Sequence, residues 1–246
     1  MKRISLVVML MSLLLIFAAC SSNSETTSSN SKNSNSNEEN NSSKEGSEGN
    51  LDHLRIGVQT LPSTLDANAS VSNAGIQVYY NIYDTLIMRD TSADELKFKP
   101  GLAESWEQIE ELKWEIKLRP NVKFHDGSTL TAEDVAYSLN RVIDEIDPSY
   151  VTSHNYLLAN FEKFEVIDDL TVHAYTFKPE PLIEHLLSDP NVGITSKAYV
   201  EEVGLDEAGI NPITTAPYKV TSYEPGQHVV LERFDDYWGD PAHLRK

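Results

Sequence analysis

Seven histidines, one cysteine and a large acidic excess are the groups in this 246-residue chain with the most chemistry to offer, and their spacing excludes most of it. The histidines are scattered, with no His-Glu-x-x-His pair to set two imidazoles on one helix face for a metal. A single thiol, Cys20, excludes an intramolecular disulfide and a cysteine–histidine zinc cage. There is no Gly-x-Ser-x-Gly elbow, no phosphate-cradling glycine-rich loop and no nucleophile beside its base. His125-Asp126-Gly127 has acid–base residue types, but Asp-Gly after an apolar run is a hairpin-turn signal. No enzymatic activity, cofactor or metal is therefore expected. What remains is binding chemistry: amides that both donate and accept, and tyrosines with an apolar face and a polar tip.

The charge balance narrows the partners. Net charge is −18, and Lys2 and Arg3 are the only charges in the first 20 residues. So acidic a chain is repelled by phosphate backbones, which argues against nucleic acid, and by anionic lipid surfaces. Lys2-Arg3, the apolar run Ile4 to Phe17 and the small residues Ala18-Ala19 read as a signal peptide over 1–19, too short for a stable membrane span. Phe17-Ala18-Ala19-Cys20 resembles a bacterial lipobox, with Phe17 in place of the usual leucine, which implies a lipidated Cys20 as the new N-terminus. Of residues 21–50, 19 are Ser or Asn and none is apolar. Residues 20–50 are thus expected to be the lipidated cysteine and a disordered tether, spanning roughly 30 Å as a flexible coil.

Folded sequence is expected from Leu51. Leu54, Ile56 and Val58 alternate with polar residues and predict a half-buried strand. Ile76, Tyr79, Tyr80, Tyr83, Leu86 and Ile87 follow a helical stripe. Leu112, Trp114, Ile116 and Leu118 predict a strand that runs through Val122-Lys123-Phe124 into the Asp126-Gly127 turn. Thr131-Ala132-Glu133-Asp134 is a capping-box-like helix start, continued by Val135, Leu139 and Val142. Residues 171–177 alternate as another strand, Pro181 opens a short helix to Leu187, and 218–220 with 228–232 flank a Glu224-Pro225-Gly226 turn. The mixture predicts an α/β (mixed α+β) module without internal repeats.

Several segments, taken in order, resemble the peptide/nickel-binding proteins of extracellular solute-binding protein family 5, the receptors of oligopeptide, dipeptide and nickel ABC importers. They are Leu102-Ala103-Glu104-Ser105-Trp106, Lys123-Phe124-His125-Asp126-Gly127, Thr131 to Leu139, Pro217-Tyr218-Lys219-Val220, and Leu231-Glu232-Arg233 through Tyr237-Trp238-Gly239. The resemblance covers Leu54 to Lys246. It implies a periplasmic-binding-protein-like type II lobe with an extra subdomain: 51–71 and 194–246 in the first lobe, 72–193 in the subdomain. The resemblance places a second lobe, with the acidic group that would clamp a peptide's amino terminus, after Lys246, so this chain is expected to be a truncated N-terminal part.

By the same resemblance, Gln59, Thr60 and Leu61 line the ligand cleft, while Gln77 and Tyr156 fall near positions that touch ligand; Tyr150 is a further candidate. The implied role is a lipid-anchored receptor on the extracytoplasmic face of a bacterial cell membrane, of Gram-positive type, capturing oligopeptides or dipeptides as a monomer for an ABC permease. The alternatives are binding of a nickel chelate or another solute, or a structural or signalling lipoprotein that binds none. One departure lies within the match. Thr214-Thr215-Ala216-Pro217-Tyr218 stands where the family commonly has Gly-Thr-Gly-Pro-Tyr, so strain from positive dihedrals is expected there.

Overall fold

Alternating apolar residues become strands here where both a backbone partner and a core are within reach. The computed structural model describes residues 52–69, 73–92, 95–143 and 156–245, all within one unit, Glu48–Lys246. Among the described residues, eight strands form three antiparallel sheets. The first pairs β1 (Ile87–Arg89) with β2 (Phe98–Pro100). The second contains β3 (Ala103–Glu110), β4 (Lys113–Leu118), β5 (Phe161–Asp168) and β6 (Thr171–Thr176), in the order β3-β4-β6-β5. The third is the hairpin of β7 (Tyr218–Glu224) and β8 (His228–Arg233), whose turn places Gly226 at φ 76°. The helices are α1 (Asn73–Ile82), α2 (Ala132–Ile143), α3 (Ile183–Leu186), α4 (Lys197–Val203) and α5 (Leu205–Ala208), with a 3₁₀ turn at Pro190–Val192.

One face of the four-stranded sheet buries Ile116, Leu118, Phe161, Phe164, Val172 and Ala174 against Val135, Leu139 and Val142 of α2. Full burial of an aliphatic or phenylalanine side chain stabilises a fold by about 1.5–3 kcal/mol, so this layer is the main adhesive. The opposite face carries charge: Lys163 meets Glu165 at 2.8 Å, Tyr175 donates to Glu165 at 2.8 Å, and Lys117 meets Glu115 at 3.1 Å. Such exposed pairs add little stability. At the sheet edge, the Asn140 side chain of α2 takes both backbone groups of Phe164, accepting from its N–H and donating to its carbonyl, each at 2.8 Å.

Helix α2 starts as its sequence predicts, by half of a capping box. The Asp134 carboxylate accepts from the Thr131 N–H at 2.9 Å and from the Thr131 hydroxyl at 3.0 Å, and its other oxygen accepts from the Lys197 N–H at 3.0 Å. The Asp126-Gly127 turn forms too, with Gly127 at φ 88° and a bridge between Lys123 and Thr129. A second, smaller core joins Leu65, Ala67, Val78, Tyr79, Ile82, Tyr83 and Val220, so α1 packs against the β7–β8 hairpin.

Five expectations are corrected. The strand predicted to run through Val122-Lys123-Phe124 ends at Leu118, because the chain turns at Pro120-Asn121, with Asn121 at φ 60°, and leaves only the Lys123–Thr129 bridge. Residues 54–58 form no strand, and Ile56 is 73% exposed, because no described strand lies beside them to take up their backbone groups. Tyr80 is off the apolar stripe and 55% exposed, since α1 ends at Ile82 and the chain then turns Tyr83, Leu86 and Ile87 inward. The short helix opens at Ile183, two residues after Pro181. Thr214 and Ala216 are fully buried without positive φ; among described non-glycine residues only Asn121 has one. Instead of strain, Thr214 supplies a bond: its hydroxyl donates to the carbonyl of Ile82, the last residue of α1, at 2.6 Å.

Candidate ligand-binding site

The stretch that carries Gln59, Thr60 and Leu61 is irregular, and its side chains are exposed except for half-buried Leu61. Within the described residues these three make no hydrogen bond, so their backbone groups remain available. The chain immediately after them is held firmly. Tyr223 donates to the carbonyl of Pro62, Tyr79 to that of Thr64 at 3.0 Å, and Tyr83 to that of Leu65 at 3.0 Å. Leu65 N–H bonds the Gly209 carbonyl at 2.6 Å. Asp66 closes a local turn by accepting from the Asn68 N–H at 3.0 Å, and the Asn68 side chain donates to the Asn191 carbonyl at 2.8 Å.

Gln77 projects from α1 and is exposed; its backbone carbonyl accepts from the Asn81 side chain at 2.9 Å. Gln77 and the 59–61 stretch are linked through the small core, because the same helix presents Tyr79 to Thr64. Tyr156 is 65% exposed and leads into Leu157 and Leu158, which belong to the larger core. Tyr150 and Cys20 lie outside the described residues. The three tyrosine hydroxyls were not legible as partners of the loop. The only available signal was the four-residue spacing of Tyr79 and Tyr83, which stack edge-on with ring centres 6.0 Å apart.

Two further polar centres, around buried Asp84 and half-buried His125, lie in the same unit. The Asp84 carboxylate accepts from Thr215 at 2.9 Å, Trp238 Nε1 at 2.7 Å and Tyr237 at 3.2 Å. Burial pushes its pKa up despite these donors. The Arg119 guanidinium lies 4.6 Å above the Trp238 ring. His125 is the second centre. Its Nε2 faces the Ala216 carbonyl at 2.9 Å, so it must carry the proton and donate, and the ring meets Phe234 edge-on at 5.0 Å. Burial pushes the His125 pKa down to about 4, keeping the ring neutral. His125 is thus part of the scaffold, as its turn motif suggested.

An open hollow of about 340 Å³ is lined by Glu133, Ala136, Tyr137, Asn140, Val166 and Lys197, and includes none of the expected ligand residues. Among the described residues, no three His, Cys, Asp or Glu side chains are placed to hold a metal, and no helix is long and apolar enough to cross a membrane.

Comparison with known proteins decides the family. Residues 97–246 match the model of the bacterial extracellular solute-binding proteins, family 5 middle region. The chain belongs to that family. A glutathione-binding protein, GsiB, of Escherichia coli O1:K1 is 32% identical over 174 residues, covering 70% of this chain and 32% of GsiB. The DppA periplasmic binding protein of Helicobacter pylori, solved with the peptide STSA, superposes with a TM-score of 0.68 at 25% identity, covering 76% of this chain and 40% of that one. MoaA of A. tumefacien R10, solved with mannopinic acid, gives 0.66 at 30% identity, covering 74% and 37%. The fold is therefore the mixed helix-and-sheet fold of type II periplasmic binding proteins. The chain spans a quarter to about a third of the curated relatives that match it first. Gln59, Thr60, Leu61 and Gln77 precede the residues matched by the family model, whereas Tyr150 and Tyr156 lie within them.

Proposed function

We propose that this chain is the receptor component of an ABC importer, anchored through a lipidated Cys20 to the extracytoplasmic face of a Gram-positive-type cell membrane, and that it captures short peptides as a monomer for a membrane permease. The observation that carries the reading is a largely exposed stretch, Gln59 to Leu61, whose backbone groups have no partner among the described residues, beside a stretch whose carbonyls are tied to a core. An extended peptide needs such backbone partners, held still. Peptides are favoured among solutes because DppA is solved with STSA and GsiB is named for glutathione, itself a tripeptide. Gln77 and Tyr156 are assigned to the ligand's surroundings, with Tyr150 as a further member. Residues 51–71 and 194–246 are assigned to the first lobe and 72–193 to the subdomain. The shared core of Leu65, Tyr79 and Val220 supports direct packing between the two.

A second reading, capture of another small solute such as a sugar–amino-acid conjugate, is favoured by the 30% identity to MoaA with mannopinic acid. Thermal unfolding of the full chain, with and without a pool of tri- and tetrapeptides, tests the first. A midpoint that rises with peptide concentration is expected, because a ligand bound only to the native state stabilises it by mass action. A midpoint unmoved by the pool but raised by mannopinic acid would replace the peptide reading with the second.

A further inference from the structure

We infer that Tyr79, Tyr83 and Tyr223 are positioning residues for ligand, whose hydroxyls fix the stretch that follows residues 59–61. This rests on the assignment of 59–61 to the binding site. Three of the four carbonyls from Pro62 to Leu65 receive one phenol each. Ring bulk alone does not explain the arrangement, since phenylalanine would fill the same core volume. The hydroxyl is the only polar atom of each ring, and each donates to a backbone carbonyl that has no other donor among the described residues.

The rings are themselves placed from two sides. A Cβ on Gly75 would stand 2.7 Å from the Tyr79 ring, and one on Gly193 would stand 2.6 Å from the Tyr83 ring. Each ring thus occupies space that a glycine leaves open. Tyr79 and Tyr83 lie on and just after α1, and Tyr223 on β7, elements that share the small core. Gln77 sits two residues before Tyr79 on the same helix and points outward. Helix α1 therefore sets the distance between Gln77 and the 59–61 stretch, with the phenols as the links. Burial keeps the Tyr83 hydroxyl protonated, which a donor to a carbonyl requires.

The test uses the full chain with Tyr79→Phe, Tyr83→Phe or Tyr223→Phe. Hydrogen exchange of the 61–69 segment is followed by mass spectrometry, with β4 and β6 as internal references, and the peptide-pool concentration giving half the maximal melting shift is measured in parallel. Loss of one such bond is expected to speed exchange in 61–69 about fivefold, leave β4 and β6 unchanged, and raise the half-maximal concentration about fivefold. Tyr223 is only partly buried, so its variant keeps the test open should the other two fail to fold. Unchanged exchange in 61–69 would overturn the inference whatever the peptide result. Faster exchange with an unchanged half-maximal concentration would overturn the positioning role. If the unmodified chain responds to no peptide, the peptide reading fails by itself, and the exchange data still decide whether the phenols hold the segment.

Discussion

A single nitrogen of Arg141, Nη2, lies 2.6 Å from Oδ1 and 2.7 Å from Oδ2 of Asp66, across 75 residues of sequence. Both side chains are more than nine-tenths buried. The same nitrogen reaches the Asn68 side-chain oxygen at 3.2 Å. The pair fastens the end of the tyrosine-held loop to helix α2, and so joins the two cores.

Arg141→Ala would strand the Asp66 carboxylate in the interior, and a loss of about 3–5 kcal/mol of unfolding free energy is expected. Arg141→Met combined with Asp66→Leu should lose much less, because no charge is left unpaired. Urea unfolding of both variants checks this; equal losses would show that packing, not charge pairing, dominates at the site.

His125 gives the chain an acid-sensitive joint. Its folded pKa is depressed to about 4, below the ordinary value of 6.5. The stability it contributes is therefore complete above pH 6.5 and drains away as pH falls toward 4, where the native state also takes up the proton. That difference sets an upper bound of about 3 kcal/mol. Unfolding curves from pH 7.5 to 4 should fall less steeply for His125→Asn than for the unmodified chain.

Trp238→Phe removes the indole donor at 2.7 Å from the buried Asp84 carboxylate and weakens the stacking of Arg119. A loss of about 1.5–3 kcal/mol is expected, typical of a hydrogen bond to a charged group. Trp238→Phe joined to Asp84→Asn should cost less than the two separate losses combined, and a double-mutant cycle measures the difference.

Thr214→Gly tests the departure from the family's usual glycine. It deletes the hydroxyl that closes α1 at Ile82 and frees the backbone at a buried position without positive φ. Destabilisation by about 1–2 kcal/mol is expected from those two effects. A glycine variant as stable as the parent would show that the Thr214 bond contributes nothing.

Much of the frame was legible because its signals are local. The capping carboxylate of Asp134, the Asp126-Gly127 turn and the alternation of Ile116 with Lys117 each specify structure within a few residues. Strand β3 was missed: only Ala103 of its eight residues is buried, so an edge strand left no alternation to read. Residues 54–58 failed in the opposite sense, with a clear alternation and no neighbour. Of the proposed site, Gln59 to Leu61 and Gln77 rest on resemblance, whereas the phenols that meet Pro62, Thr64 and Leu65 join residues 15 to 161 positions apart. No periodicity encodes such bonds.

The two bonds between Asn140 and Phe164 have a consequence for how these molecules meet each other. Strand β5 ends the sheet, and beyond Phe164 it shows exposed Val166 and Ile167, the kind of rim on which a foreign strand adds itself. An incoming strand would find the N–H and carbonyl of Phe164 already taken by an amide that imitates a neighbouring peptide unit. One asparagine thus works as a stopper, and its replacement by leucine would open the rim to edge-to-edge association between copies while leaving the sheet behind it intact.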